Sequence, residues 1–167
     1  MRAGILTISD KGAKGERIDE TGIVLKKMLM ENNFSLAYYN IVPDELQLIE
    51  KELVYLSDEL KVELILTNGG TGFSKRDITP EATKNIIEKY VPGIGEVMRL
   101  KSLEITPKAM LSRGIAGIRK DSLIINLPGS PLGASENFSF ILPALHHGLE
   151  ILLGESTECA REKIEKT

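Results

Sequence analysis

Three glycines fall within four positions, Gly69-Gly70-Thr71-Gly72, directly behind the apolar run Val62 to Thr67. Glycine permits backbone angles that other residues resist, and its missing side chain lets a ligand approach the main chain. Successive N–H groups in such a turn can form a concave anion site, to which the hydroxyls of Thr67 and Thr71 can add hydrogen bonds. The whole segment, Thr67-Asn68-Gly69-Gly70-Thr71-Gly72, therefore reads as a phosphate and nucleotide site. It is not a P-loop, because no G-x-x-x-x-G-K-[ST] occurs, and the dinucleotide fingerprint is absent too. On glycine content alone, a tight turn without a ligand would serve as well.

The neighbours add charge. Ser74-Lys75-Arg76-Asp77 places two cations beside an acid, a set that could hold a polyphosphate and a divalent metal together. Mg²⁺ typically takes one or two carboxylates and completes its shell with water and phosphate oxygens. Asp77 could instead cap or salt-bridge the helix that begins near Thr79. Asp44, at the end of an earlier apolar segment, could face the same cleft or serve as a helix N-cap, with Gln47 three residues on as in a capping box. Pro128-Gly129-Ser130-Pro131 offers a second small, hydroxyl-bearing turn before a helix start, where free N–H groups bind phosphate. A plain strand-to-helix turn capped by Ser130 fits that segment equally. His146 and His147 diverge by about 100° on a helix and lack the spacing of a metal pair. With the single Cys159 they make no zinc site.

The elements that must position these residues alternate. Ala3 to Ile8 reads as a buried strand running into the loop Ser9-Asp10-Lys11-Gly12, followed by an amphipathic helix over Glu20 to Asn32. Phe34 to Val42 reads as a second strand, and Leu46, Ile49, Leu53, Leu56 and Leu60 carry the stripe of the next helix. Val62 to Thr67 is the third strand. Thr79-Pro80-Glu81 starts a helix reaching about Tyr90, with Thr79 as its cap. A short helix is expected over Gly95 to Glu104, strands over Gly114 to Ile118 and Ser122 to Leu127, and a closing helix over Ser135 to Leu153 kinked at Pro143. This order favours a three-layer α/β/α fold with a mostly parallel central sheet. Ligands in such sheets sit beyond the carboxyl ends of the strands, so the loops at Ser9, Asn68 to Thr79, and Pro128 to Ser130 should converge. No repeat or linker divides the chain, and we expect one domain over residues 1–153 with a polar tail over 154–167.

A hydrophobic share of 42% supports a sizeable core, and a net charge of −3 supplies no general field for nucleic acid or acidic membranes. The opening apolar run is too short for a signal peptide, no span approaches membrane length, and one cysteine fits a reducing compartment. The expectation is a cytoplasmic protein.

Taken together, Leu66 to Gly72, Arg76-Asp77-Ile78-Thr79-Pro80-Glu81-Ala82 and Leu127-Pro128-Gly129-Ser130-Pro131 resemble the MogA/MoaB family of molybdenum-cofactor biosynthesis. Thr7-Ile8-Ser9-Asp10, Val42-Pro43-Asp44-Glu45, Pro92-Gly93-Ile94-Gly95-Glu96 and Ser112-Arg113 look like family motifs as well. The resemblance runs from about residue 3 to residue 153 and departs at Asn68, where many relatives carry Thr, Ser or Gly. It implies a three-layer α/β fold, usually trimeric, that binds molybdopterin and ATP. It also implies adenylyl transfer to molybdopterin with release of pyrophosphate, before a separate protein inserts molybdate. Carried over residue by residue, Asp44 and Asp77 match the family's functional aspartates and would position Mg²⁺. Gly69 to Gly72 with Ser74 match its phosphate and pterin contacts, and Ser130 lies in its second anion loop. Ser9, Thr67, Asn68, Arg76, Pro128 and Gly129 complete the expected binding set. A non-catalytic pterin-binding paralogue, a nucleotide diphosphate hydrolase and a scaffold domain remain as alternatives.

Overall fold

Three apolar runs are buried along almost their whole length and become the centre of a sheet covered on both faces. The computed structural model describes residues 1–155. In chain order its elements are β1 (Arg2–Ile8), α1 (Asp10–Ala13), α2 (Glu20–Glu31), β2 (Ser35–Val42), α3 (Leu46–Val54) and β3 (Leu64–Asn68). They continue with α4 (Thr79–Ile86), β4 (Lys89–Tyr90), α5 (Pro92–Leu103), β5 (Ala116–Arg119), β6 (Ser122–Leu127) and α6 (Pro131–Leu152). A π-helical turn over Tyr55–Glu59 prolongs α3, and a 3-10 turn covers Pro107–Leu111. Cys159 and most of the expected polar tail lie outside the described residues.

The six strands run in the order β2-β1-β3-β6-β5-β4. β2, β1, β3 and β6 are mutually parallel, while β5 runs antiparallel to both β6 and β4. The mostly parallel three-layer expectation holds, with an antiparallel ribbon at one edge. Strand alternation divides the core. Ile5, Leu64, Leu66, Leu123 and Ile125 face Leu25, Leu29, Phe138 and Leu145 of α2 and α6. Leu6, Ile8, Ile65 and Ile124 face Ile49, Leu53 and Ala82 of α3 and α4.

Several boundaries differ from expectation for identifiable reasons. α4 stops at Ile86 because Ile87 turns extended (ψ 147) and the chain before Pro92 joins β5, with Glu88 and Val91 donating backbone N–H bonds to Ile118 and Ala116. Pro92 begins α5 rather than ending a helix. The polar segment after β1 forms the single-turn α1, capped by Ser9. α6 starts earlier, at Pro131, and continues through Pro143. His146 packs against the end of α2: its ring stacks on Phe34 at 4.5 Å and bonds the Asn32 carbonyl.

At the sheet end opposite the glycine loop, Arg119 donates two hydrogen bonds to Asp58 at 2.9 and 2.7 Å, and Lys120 reaches the same carboxylate at 3.0 Å. The Arg119 bonds hold the Asp58 carboxyl down at about 2, from an ordinary 3.8. A carboxyl with a lowered folded-state pKa stabilises above its unfolded value, and the contribution disappears as pH falls through the folded value. Asp58→Ala should therefore destabilise the protein by roughly 1.5–3 kcal/mol at neutral pH in urea unfolding. The difference from the parent should shrink as pH drops below 4 toward 2.

Candidate functional site

At the carboxyl ends of β1, β3 and β6, three turns touch backbone to backbone. Gly69 and Gly70 adopt φ of 96° and 63°, the left-handed region that favours glycine. A Cβ on Gly69 would clash with the Ile8 carbonyl oxygen at the end of β1, and one on Gly129 would lie 3.2 Å from the Gly69 Cα. The Gly69 N–H donates to the Leu127 carbonyl at 3.3 Å, which closes the third side. Thr79 pins the loop from below: its hydroxyl donates to the Gly69 carbonyl at 2.9 Å and its N–H to the Gly70 carbonyl at 3.1 Å. Thr79 is thus a loop clamp inside the first turn of α4, not its side-chain cap.

The loop beyond the glycines is held by Arg113. Its guanidinium donates to the carbonyls of Gly72 at 2.7 Å and Asp77 at 2.8 Å and pairs with Glu81. Its N–H donates to the Thr71 carbonyl at 3.0 Å. The Ser112-Arg113 motif gave the signal for this residue, but nothing in its local spacing disclosed a bracket across the glycine loop.

Both aspartates lie against that loop. A Cβ on Gly70 would come within 3.1 Å of Asp44 Oδ1, and one on Gly72 within 2.9 Å of Asp77 Oδ2. Asp77 does not cap α4; its Oδ2 accepts the Ser74 N–H at 3.1 Å. Asp44 does not cap α3 either, since Glu45 holds that position without a side-chain bond. Asp44 and Asp10 instead exchange hydrogen bonds, each carboxylate accepting the other's N–H at 3.1 Å. Arg76 clasps Asp10 with two bonds at 3.0 and 2.7 Å and holds the Asp10 carboxyl below its ordinary value. Asp44 moves the other way. Burial pushes its carboxyl up, reinforced by the nearby charges of Asp10 and Asp77.

Most of the expected binding residues line one of three depressions, while Gly70, Ser74 and Asp77 line none of them. Ser9, Asn68, Gly69, Gly129 and Ser130 line a cleft of about 320 Å³ on the α2 side. Thr71, Gly72, Pro128 and Ser130 line a second, of about 310 Å³, on the α5 side. Ser130 belongs to both. Its hydroxyl accepts the Gly133 N–H at 3.2 Å, so it does cap α6. Asp44 and Arg76 line a third, more open depression with Lys75. Thr67 does not join them. It is fully buried on the α4 face, where its hydroxyl accepts from Asn126 at 2.9 Å. Strand alternation sends Thr67 to the face opposite Asn68, which sequence spacing alone did not weigh.

Among the described residues no group of three or more His, Cys, Asp or Glu side chains could hold a metal alone. Asp44 and Asp77 each use one carboxylate oxygen on a backbone N–H, and among the described residues the other accepts no bond. Carboxylate oxygens of this kind beside an anion nest suit Mg²⁺, which draws its remaining ligands from phosphate and water.

A mostly parallel sheet whose central strands end at a glycine turn, a capped helix N-terminus and two carboxylates defines an α/β class of protein. Residues 4–147 match the family model described as "Probable molybdopterin binding domain". The chain is 43% identical to the molybdopterin adenylyltransferase of Helicobacter pylori, over 99% of this chain and 95% of that one. It is 40% identical to the enzyme of that name from Escherichia coli K12, over 86% and 75%. Its fold is similar to that of the molybdopterin biosynthesis enzyme MoaB from Thermus thermophilus, with TM-score 0.87, 50% identity, and coverage of 92% and 96%. The chain belongs to the MogA/MoaB family of molybdenum-cofactor biosynthesis proteins.

Because burial and like charges oppose its ionisation, Asp44 in its charged form destabilises the fold at neutral pH. Asp44→Asn should raise Tm at pH 7, and the gain should vanish as pH falls and the parent carboxyl takes up its proton. Gly70→Ala should act oppositely, lowering Tm through the left-handed φ and the Thr79 hydroxyl in its way. Thermal unfolding of both variants at pH 4 and pH 7 checks the pair.

Proposed function

We propose that this chain is a molybdopterin adenylyltransferase, moving AMP from ATP to the terminal phosphate of molybdopterin and releasing pyrophosphate. One observation supports the reading: Asp44 lies against Gly70, Asp77 against Gly72, and Gly129, next to the Ser130 cap, against Gly69. A phosphate oxygen of molybdopterin attacks the α-phosphorus of ATP. The bond from that phosphorus to the bridging oxygen breaks, and pyrophosphate departs with the electron pair. A phosphate monoester is largely dianionic near pH 7, so the step requires no general base. That agrees with a site where the described residues supply hydroxyls, amides and carboxylates and no histidine or cysteine.

The chain's own contribution is positioning and electrostatics. The loop amides of Gly70 to Gly72 and the start of α6 would face the phosphates, and the clamps from Thr79 and Arg113 fix the loop before any ligand arrives. Asp44 and Asp77 would hold Mg²⁺, which when bound neutralises charge on the triphosphate. Arg76, already held by Asp10, keeps a cation beside that pair and orients the carboxylate next to Asp44. Ser74 lends its N–H to Asp77 and fixes that carboxylate's rotamer.

The working form under this reading is a cytoplasmic homotrimer that passes its product to a separate molybdate-inserting protein. Val97, Leu100 and Leu103 leave an apolar stripe on α5 exposed, the kind of surface that subunit contacts cover. No helix among the described residues is long and apolar enough to cross a membrane.

Asp77→Asn should lower turnover by at least about a hundredfold while changing molybdopterin affinity by less than about threefold. Pyrophosphate release and a direct binding titration separate the two quantities. Unchanged turnover would remove Asp77 from the reaction.

A further inference from the structure

The cleft on the α2 side has a wall that the reaction above leaves unused. Asp19, the N-cap of α2, lines it together with Thr7 and Asn68. Its Oδ1 accepts the Gly22 N–H at 2.9 Å. Its Oδ2 accepts two hydroxyls, from Thr7 and, at 2.8 Å, from Tyr39. Thr7 in turn accepts the Asn68 side-chain N–H at 2.8 Å, which carries the chain of bonds to the residue before the glycine loop.

Bonds from α2, β1 and β2 therefore lock one carboxylate in place. An ionised carboxylate offers about four acceptor positions, and three are filled here. Room for the arrangement depends on Gly22, because a Cβ there would collide with Asp19 Oδ2 and lie 2.7 Å from the Tyr39 ring. Burial and the bond to Asp19 push the Tyr39 hydroxyl up to about 12, so it stays a donor throughout the neutral range.

Charge decides what the remaining acceptor can meet. Asp19 and Glu20 line this wall against a single cation, Arg17, among the described residues. Phosphate is repelled here and drawn to the glycine amides and the α6 N-terminus on the other side of the same cleft. A neutral donor suits the position. Ribose hydroxyls, an adenine amino group and the amino or ring N–H groups of a pterin all have that chemistry.

We propose that Asp19 is a specificity-determining residue: its free carboxylate acceptor takes a hydrogen bond from an uncharged O–H or N–H donor of the nucleoside or pterin. The same charge orients the ligand with its phosphates toward Gly69 to Gly72 and Ser130. This rests on the adenylyl-transfer reading of the site and deepens it.

The test uses the full chain as parent, Asp19→Asn and Tyr39→Phe. Asparagine keeps a capping oxygen, and Tyr39 is half-exposed, so its variant folds even if the first does not. ATP is compared with 2′-deoxy-ATP, 3′-deoxy-ATP and purine riboside triphosphate, each lacking one donor, and molybdopterin binding is titrated separately. Asp19→Asn should weaken one of the two substrates by about tenfold, with kcat within about twofold. Tyr39→Phe should weaken the same substrate by about threefold. If the donor belongs to ATP, the parent prefers ATP about tenfold over the analogue lacking that group, and Asp19→Asn loses the preference. If it belongs to the pterin, only molybdopterin binding falls. Affinities unchanged within twofold in both variants would overturn the assignment, as would equal weakening of both substrates together with a lower kcat. A parent that binds both ligands but releases no pyrophosphate would count against the proposed reaction, while the titrations still decide the role of Asp19.

Discussion

The Ile8 carbonyl oxygen, at the end of β1, occupies the place where a side chain on Gly69 would have to go. Everything at this end of the sheet follows from that contact. With no side chain at Gly69, the chain leaves β3 in a left-handed turn and lies directly against the ends of β1 and β6. The turn after β6 also comes close, at Gly129, so the glycine loop and the start of α6 come to share one cleft. A larger residue at Gly69 would push the three turns apart and separate the anion nest from the helix N-terminus.

Close approach alone would leave a floppy loop, and the polar bonds around it prevent that. Thr79 holds the glycine carbonyls from α4, and Arg113 brackets the following turn at Gly72 and Asp77. The Asp10–Arg76 pair, joined to Asp44 through two backbone bonds, fixes one carboxylate beside Gly70. The arrangement keeps Asp44 where burial and neighbouring acids oppose its charge. Proteins commonly tolerate such destabilisation where function requires it, and a bound cation with a polyphosphate would relieve it here.

Much of this was legible in the residues. Long apolar runs announced β1, β3 and β6, and the glycine cluster, Pro128 to Ser130 and the two aspartates marked the site because their chemistry is local. Other features were not legible, for physical reasons. Asp44 and Thr79 each look like a helix cap from spacing alone, yet their bonds go to residues 34 and 10 positions away. Thr67 belongs to the conspicuous segment but faces the wrong side of the sheet. Arg113 and Asp19 act across the fold, through partners that only the strand order β2-β1-β3-β6 brings together. The short β4 escaped notice because two residues carry no periodicity, and only β5 gives them a partner.

The proposed reaction joins a pterin phosphate to the α-phosphate of ATP in this cleft. The most direct measurement is pyrophosphate release by the purified chain with ATP and molybdopterin, each alone and together, with and without Mg²⁺. Release should occur only when both substrates and the metal ion are present, with one adenylylated pterin formed per pyrophosphate. Release from ATP alone, or binding of molybdopterin without any release, would contradict it.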